Sequence, residues 1–310
     1  MKVIRAFFGI AVLAIAASLP WIVQDHMQQN GTSVSARSHE ATGSVRQNNP
    51  IGSKTLAAVR DWFSTDSSPA AHSSFSTAPS DSPAVFPVSN ELATSARAKT
   101  AATRVAPILN PELKALGLKM GDPVFIRIFK EEAELEVWML GDGKTDYELF
   151  KTFEICAFSG KPGPKLKEGD RQAPEGFYYV PPSRMNPSSQ FHLSFDLGFP
   201  NDYDTYHGRT GTFLMVHGDC VSAGCYAMTD VRIEEIYTLV AAALEDGQKY
   251  FRVHAFPFRM TDSRMNKEFK RKGKWLDFWG NLKEGYDYFE MMKLPPNISV
   301  KDGKYAFSAG

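Results

Sequence analysis

From about residue 106 onward, short apolar runs alternate with polar breaks that carry glycine or proline. The runs Val124–Phe129, Leu135–Leu140, Tyr147–Ile155, Phe177–Val180, Gln190–Phe195, Thr212–Val216 and Tyr250–Phe256 are strand-length, and rich in β-branched and aromatic residues. Two stretches keep a helical period instead. Ile233, Ile236, Tyr237, Val240 and Leu244 share one face of a helix over Val231–Leu244, with Thr229 and Asp230 as N-cap chemistry. Trp275, Phe278, Trp279, Leu282 and Tyr286 form an aromatic stripe over Lys274–Phe289, the pattern of a helix docked on a core. Asn110-Pro111-Glu112 predicts a further helix start, with proline in the first turn. The expected fold is mainly β, a sandwich or barrel-like sheet with peripheral helices.

Ahead of that region the pattern changes twice. Lys2 and Arg5 precede an apolar run from Ala6 to Val23, the form of a signal peptide or a membrane anchor over residues 1–23. Residues 24–105 are poor in large apolar groups and rich in Ser, Ala, Thr and Pro, so they read as a low-complexity flexible linker. Residues 106–310 are then the folded domain, in the periplasm or cell envelope. The chain has 310 residues, 35 Lys+Arg against 35 Asp+Glu, and three cysteines. Neutral charge argues against nucleic acid as a partner. Eight of the cations, against two acids, fall in Arg252–Lys274, which reads as a solvated charged face or a patch for an anionic polymer. Cys156, ending an apolar run, reads as a buried small hydrophobe.

The candidate chemistry lies in Gly211–Met228. An apolar run delivers His217 to a strand end; Gly218, Asp219, Cys220, Ser222 and Gly224 then lead to Cys225. A thiol just ahead of a helix N-terminus and near an imidazole is a nucleophile of lowered pKa. Three plainer readings stand beside it: a Cys220–Cys225 disulfide loop, a partial metal site with His217, or core residues at a strand end. One histidine and two cysteines at this spacing do not make a complete ligand set.

His217-Gly218 followed by Ser222-x-Gly224-Cys225-x-x-Met228 resembles the signature of the L,D-transpeptidase (YkuD-type) catalytic domain, in its compact YafK-like form. The resemblance runs from about residue 106 to the C-terminus, through Gly163-Pro164-Lys165, Gly169-Asp170, Pro174–Tyr178 and Phe199-Pro200-Asn201. It implies an L,D-transpeptidase-like β-sandwich, with Cys225 as nucleophile and His217 as base. Gly218, Ser222 and Gly224 would shape the turn and the oxyanion site. It further implies acyl transfer through a Cys thioester on diaminopimelate-containing stem peptides of peptidoglycan, with no metal or organic cofactor. The sequence departs from the family pattern at Ala223, where many members have a histidine, and at Ala227, where many have an arginine. Lys165 and Arg209 are the candidates for holding the substrate carboxylate in that arginine's place, and His192, on a strand, is a candidate to line the cleft. Asp219 could orient His217 or stabilise its turn, and His207 lies in the loop upstream. The departures also open a YafK-like amidase or hydrolase that releases a wall-linked protein or amino acid; a non-catalytic wall-binding module is the third possibility.

Overall fold

The computed structural model describes residues 91–309. The expected leader over 1–23 and most of the expected linker lie outside these residues. Among the described residues no helix is long and apolar enough to cross a membrane.

The frame is two five-stranded sheets. The first comprises β1 (Val124–Phe129), β2 (Glu134–Met139), β3 (Glu148–Glu154), β5 (Gly176–Val180) and β10 (Phe251–Phe256), in the order β3-β2-β1-β10-β5. The second comprises β4 (Ala157–Phe158), β6 (Met185–Asn186), β7 (Ser194–Asp196), β8 (Met215–His217) and β9 (Tyr226–Ala227), in the order β4-β9-β8-β7-β6. One continuous apolar core lies between them: Val216, Phe195 and Tyr226 from the second sheet join Ile126, Val253 and Tyr178 from the first. Phe195 meets Phe251 edge-on across the gap, with ring centroids 5.1 Å apart. The mainly β sandwich is therefore present, and five of the expected strands match to within about a residue (β1, β2, β3, β5 and β10).

Helices close the outside. Helix α1 (Ala96–Ala115) starts ten residues ahead of the expected domain boundary, and runs through Pro107 and Pro111 where a helix start was expected. Two features of the sequence account for this. Ser95 caps the helix, accepting the Ala98 N–H, a contribution of about 1 kcal/mol. Ala101, Val105, Leu109 and Leu113 then recur every four residues and bury completely, and that packing outweighs the hydrogen bonds the prolines remove. After α2 (Asp202–Tyr206) comes α3 (Asp230–Glu245), capped by Thr229 as its sequence predicts, which packs on α1 and the sheets.

The far face of the first sheet is covered by α5 (Leu276–Met292), which follows α4 (Asp262–Lys270), and by the hairpin β11 (Asn297–Lys301) and β12 (Lys304–Ser308). The aromatic stripe docks here: Phe278, Trp279, Leu282, Tyr286 and Phe289 are all buried. His254 sits in this aromatic layer with Phe125 and Phe177 edge-on to it at 4.6 and 4.7 Å. Neither of its ring nitrogens has a partner among the described residues, and burial holds its pKa well below the usual histidine range. In the basic stretch, Arg259 pairs with Glu134 and Glu136 and Arg264 with Glu131 and Glu268, so much of that charge is compensated within the fold.

Candidate active site

Strand β8 is three residues long and ends at His217. Its register aligns His217 with Ser194 on β7 and with Ala227 on β9. Side chains alternate along strands, so Val216 enters the core while Met215 and His217 share the opposite face. The His217 ring is covered by Phe191, 4.7 Å between centroids, and is almost wholly buried. Its Nδ1 lies 2.6 Å from the Gly218 carbonyl oxygen. A carbonyl only accepts, so Nδ1 carries the proton and Nε2 of the neutral ring keeps its lone pair. Burial lowers the His217 pKa; the Gly218 bond and the Asp219 charge offset part of that. The result is a neutral base of fixed tautomer.

The turn after His217 holds that carbonyl in place. The Gly218 N–H reaches the carbonyls of Phe191 and Leu193 at 3.0 and 3.2 Å. A Cβ at this glycine would fall 2.6 Å from Asp230 Oδ1 and 3.0 Å from His192 Cβ, so no larger residue fits. Asp219 and Cys220 both take left-handed backbone conformations, φ 66° and 46°. Asp230 accepts the Asp219 N–H at 2.8 Å, and Met228 accepts the Cys220 N–H. The His217 orienter is thus the Gly218 carbonyl, while the Asp219 backbone is tied down by Asp230.

Two cysteine readings are corrected at this turn. Cys220 is bonded to Cys156, with Cα atoms 5.3 Å apart, and Cys225 is the free thiol. Cys156 is therefore not an isolated buried hydrophobe, and no Cys220–Cys225 loop forms. The pairing follows from strand order: Cys156 immediately precedes β4, which lies against β9, and its N–H bonds Ala227 in that strand.

The loop into Cys225 is built by serine. Ser222 Oγ donates to the Cys225 carbonyl at 2.7 Å and accepts the Gly224 N–H at 3.3 Å; Ser159 Oγ donates to the Ser222 carbonyl. Gly224, at φ 144°, needs the freedom of a residue without Cβ. Its N–H is committed to Ser222 rather than open to an oxyanion. Cys225 sits one position before β9, level with Met215, and on the same face as His217. Its sulfur accepts the Met215 N–H at 3.4 Å, and its thiol donates to the Phe213 carbonyl at 3.6 Å. Among the described residues it makes no hydrogen bond to His217. Burial pushes the thiol up to about 11, with the Met215 bond pulling the other way. The expected position just ahead of a helix N-terminus is not found: β9 stands between Cys225 and the start of α3, and burial sets the direction of the shift.

The remaining candidates have partners of their own. His192 Nε2 meets Glu234 at 2.8 Å, within a network that includes Arg104. Arg209 is buried in an ion pair with Asp204 at 2.7 Å, its guanidinium over Tyr203 and Phe278. His207 bonds the Gly303 carbonyl. Among the described residues none of these three hydrogen-bonds the sulfur, whose partners are Met215 and Phe213. Lys165 is different: its charge acts directly on Cys225. It is buried and bonds Asp170 and the Lys167 carbonyl, in a loop fixed by the buried pair Lys130–Glu175. Lys130 reaches the Gly163 and Ala173 carbonyls as well, and Trp279 donates to Glu175. The covering ring of Phe191 and the Asp196 carboxyl near the thiol had no motif to announce them; only the β7–β8 register places them here. Among the described residues no three His, Cys, Asp or Glu side chains are grouped to hold a metal.

Residues 123–278 match the family described as the L,D-transpeptidase catalytic domain, YkuD. YafK of Escherichia coli strain K12, whose name as an L,D-transpeptidase is itself provisional, is 46% identical over 190 residues, covering 61% of this chain and 75% of its own. Among solved structures, the helical cell shape determining protein Pgp2 of Campylobacter jejuni aligns at 20% identity and TM-score 0.35, over 62% of this chain and 79% of its own. Bd1075 of Bdellovibrio bacteriovorus aligns at 17% and 0.30, over 54% and 60%.

Proposed function

Because the chain belongs to the L,D-transpeptidase catalytic domain family, we propose that it is an exported cysteine acyl transferase acting on diaminopimelate-containing stem peptides of peptidoglycan. The observation that carries this reading is the fixed tautomer of His217, whose free Nε2 lone pair shares a sheet face with the only unpaired thiol among the described residues.

At rest the thiol proton lies toward Phe213. Rotation of the Cys225 side chain brings it to His217, which takes the proton as the sulfur attacks the carbonyl at the L-centre of the diaminopimelate residue. The imidazolium formed is stabilised by the Gly218 carbonyl, and returns its proton to the leaving amine. A thioester remains on Cys225. An amine then attacks it, giving a cross-link or an attached protein, or water attacks it, giving cleavage; His217 accepts the attacking group's proton. No step calls on a metal or an organic cofactor. The Cys156–Cys220 disulfide suits an oxidising compartment outside the cytoplasm.

Hydrolysis is favoured over cross-linking by one feature. Ala227, two residues beyond the thiol, is completely buried against Ala157 and His217, so that position offers no cation to a substrate carboxylate. The test incubates the full chain with muropeptides and with intact sacculi, and reads products by mass spectrometry. A dimer mass marks transpeptidation, and a shortened or released species marks the amidase reading. An unchanged profile, identical to that of Cys225→Ala, overturns both and leaves a wall-binding module.

A further inference from the structure

Asp196 and Lys165 put opposite charges near the reactive thiol, and neither is used in the mechanism above. Asp196 pairs with Met215 across β7 and β8, and Met215 lies level with Cys225 across β8 and β9. The three side chains therefore stand side by side, on the face that also carries His217. That face is covered by Phe191 at the histidine, while Cys225 and Asp196, on either side of the buried Met215, are each only half-buried. One Asp196 oxygen accepts the Gly198 N–H at 2.7 Å; the other takes no hydrogen bond among the described residues. Lys165 gives two of its three N–H donors to Asp170 and Lys167. Its Cε would lie 2.7 Å from a Cβ at Gly211, in the segment that leads to Phe213. Both charges reach the sulfur: Asp196 raises the thiol pKa and Lys165 lowers it.

We infer that Asp196 and Lys165 form a subsite for a zwitterionic α-amino-acid head group, with the substrate's ammonium on Asp196 and its carboxylate on Lys165. A ligand bearing only a carboxylate would face Asp196 unpaired, and one bearing only an ammonium would face Lys165; a head group with both satisfies each. Two interstrand spacings separate the Asp196 and Cys225 backbones, about 10 Å. The head group is thus several bonds from the attacked carbonyl, and the pair sets specificity without touching the bond that breaks. The inference rests on the proposed reaction for its setting: a diaminopimelate residue attacked at its L-centre carries such a head group at its other end.

The test does not need turnover. Cys225 is modified with methanethiosulfonate reagents that are neutral, cationic or anionic, in the full chain and in Asp196→Asn and Lys165→Gln. Asp196→Asn keeps the acceptor for Gly198, and should slow the cationic reagent about three- to tenfold relative to the neutral one. Lys165→Gln should slow the anionic reagent by a similar factor. D-Alanine should protect Cys225 from the neutral reagent at concentrations where propionate and ethylamine do not, and Asp196→Asn should abolish that protection. Should Lys165→Gln fail to fold by circular dichroism, the Asp196→Asn rates and the D-alanine protection decide alone. Rates that respond equally to all three reagents, or protection no better with D-alanine than with propionate, overturn the subsite. If that happens while muropeptides are still processed, the enzyme reading stands without it. Charge-selective labelling with inert muropeptides would fail the reading and keep the subsite.

Discussion

The thiol of Cys225 donates to the carbonyl of Phe213, 3.6 Å away, and not to His217. A half-buried thiol whose pKa desolvation pushes up to about 11 is neutral at rest, so the nucleophile is generated during attack rather than stored as a thiolate.

That gives the first prediction. The rate of Cys225 alkylation by iodoacetamide should still rise about tenfold per pH unit between pH 8 and 10, approaching its plateau near 11. An exposed thiol would level off about two units lower. Stopped-flow or mass-spectrometric labelling across that range is the check, and a plateau by pH 9 contradicts the placement of the sulfur.

The base sets the acid limb of turnover. Protonating His217 removes its Nε2 lone pair, and burial has moved that protonation below the usual 6.5. Activity, as kcat/KM, should therefore hold through pH 6.5 and fall only at lower pH, with no alkaline fall before about pH 10. His217→Ala should cost about 10²–10⁴-fold in rate, and Cys225→Ser should abolish turnover, each with an unchanged circular dichroism spectrum. An acid limb centred at or above 6.5 would count against the buried neutral ring.

The disulfide should be a matter of stability first. It closes a separation of 64 residues, and its loss should cost about 2–4 kcal/mol. Cys220→Ser and Cys156→Ser should lower the urea midpoint by equal amounts, and the double substitution by no more than either alone. Mass spectrometry of unreduced peptides should find Cys156 linked to Cys220 and Cys225 free.

His254 makes the fold sensitive to acid. The ring is neutral when folded and gains a proton below about pH 6.5 when unfolded, so the unfolded state binds more protons there. Its effect on stability is absent above that pH, and grows by up to about 1.4 kcal/mol for each unit below it. Between pH 7.5 and 5.0, His254→Phe should lose about 2 kcal/mol less than the parent chain, as read by urea denaturation. An equal loss in both proteins would mean the ring titrates normally in the fold.

Lys130 and Glu175 are both wholly buried, and their pairing holds the loop that carries Lys165. Lys130→Met leaves a buried carboxylate without its cation and should cost about 3–5 kcal/mol. Lys130→Met/Glu175→Gln, which leaves no lone charge, should recover part of that loss in the same denaturation experiment.

Much of this was legible before any coordinates, for identifiable reasons. Val124–Phe129 and Tyr250–Phe256 were readable because central strands must be apolar along their length. Helix α3 was readable because Thr229 and its period-3.6 face agree. His217 and Cys225 stood out through the glycines and the serine around them. What escaped had no local signal. Strand β9 is two residues long, too short for any periodicity, yet it stands between Cys225 and the helix, and burial raises the thiol's pKa where a lowering was expected. The Cys156–Cys220 bond depends on β4 lying beside β9, a contact between segments about 70 residues apart. Helix α1 was misjudged because its two prolines are local warnings that tertiary packing overrides.

The way α1 enters the fold has a mechanical consequence. Ser95 Oγ bonds the Pro187 carbonyl, and Arg97 bonds the carbonyls of Ser189 and His192, on either side of the Phe191 that lies over the His217 ring. The start of α1 is therefore fastened to the loop that covers the base. A displacement of the start of α1 would be felt first by the loop over that imidazole, so the seating of the helix and the cover of the proton acceptor depend on the same three carbonyls.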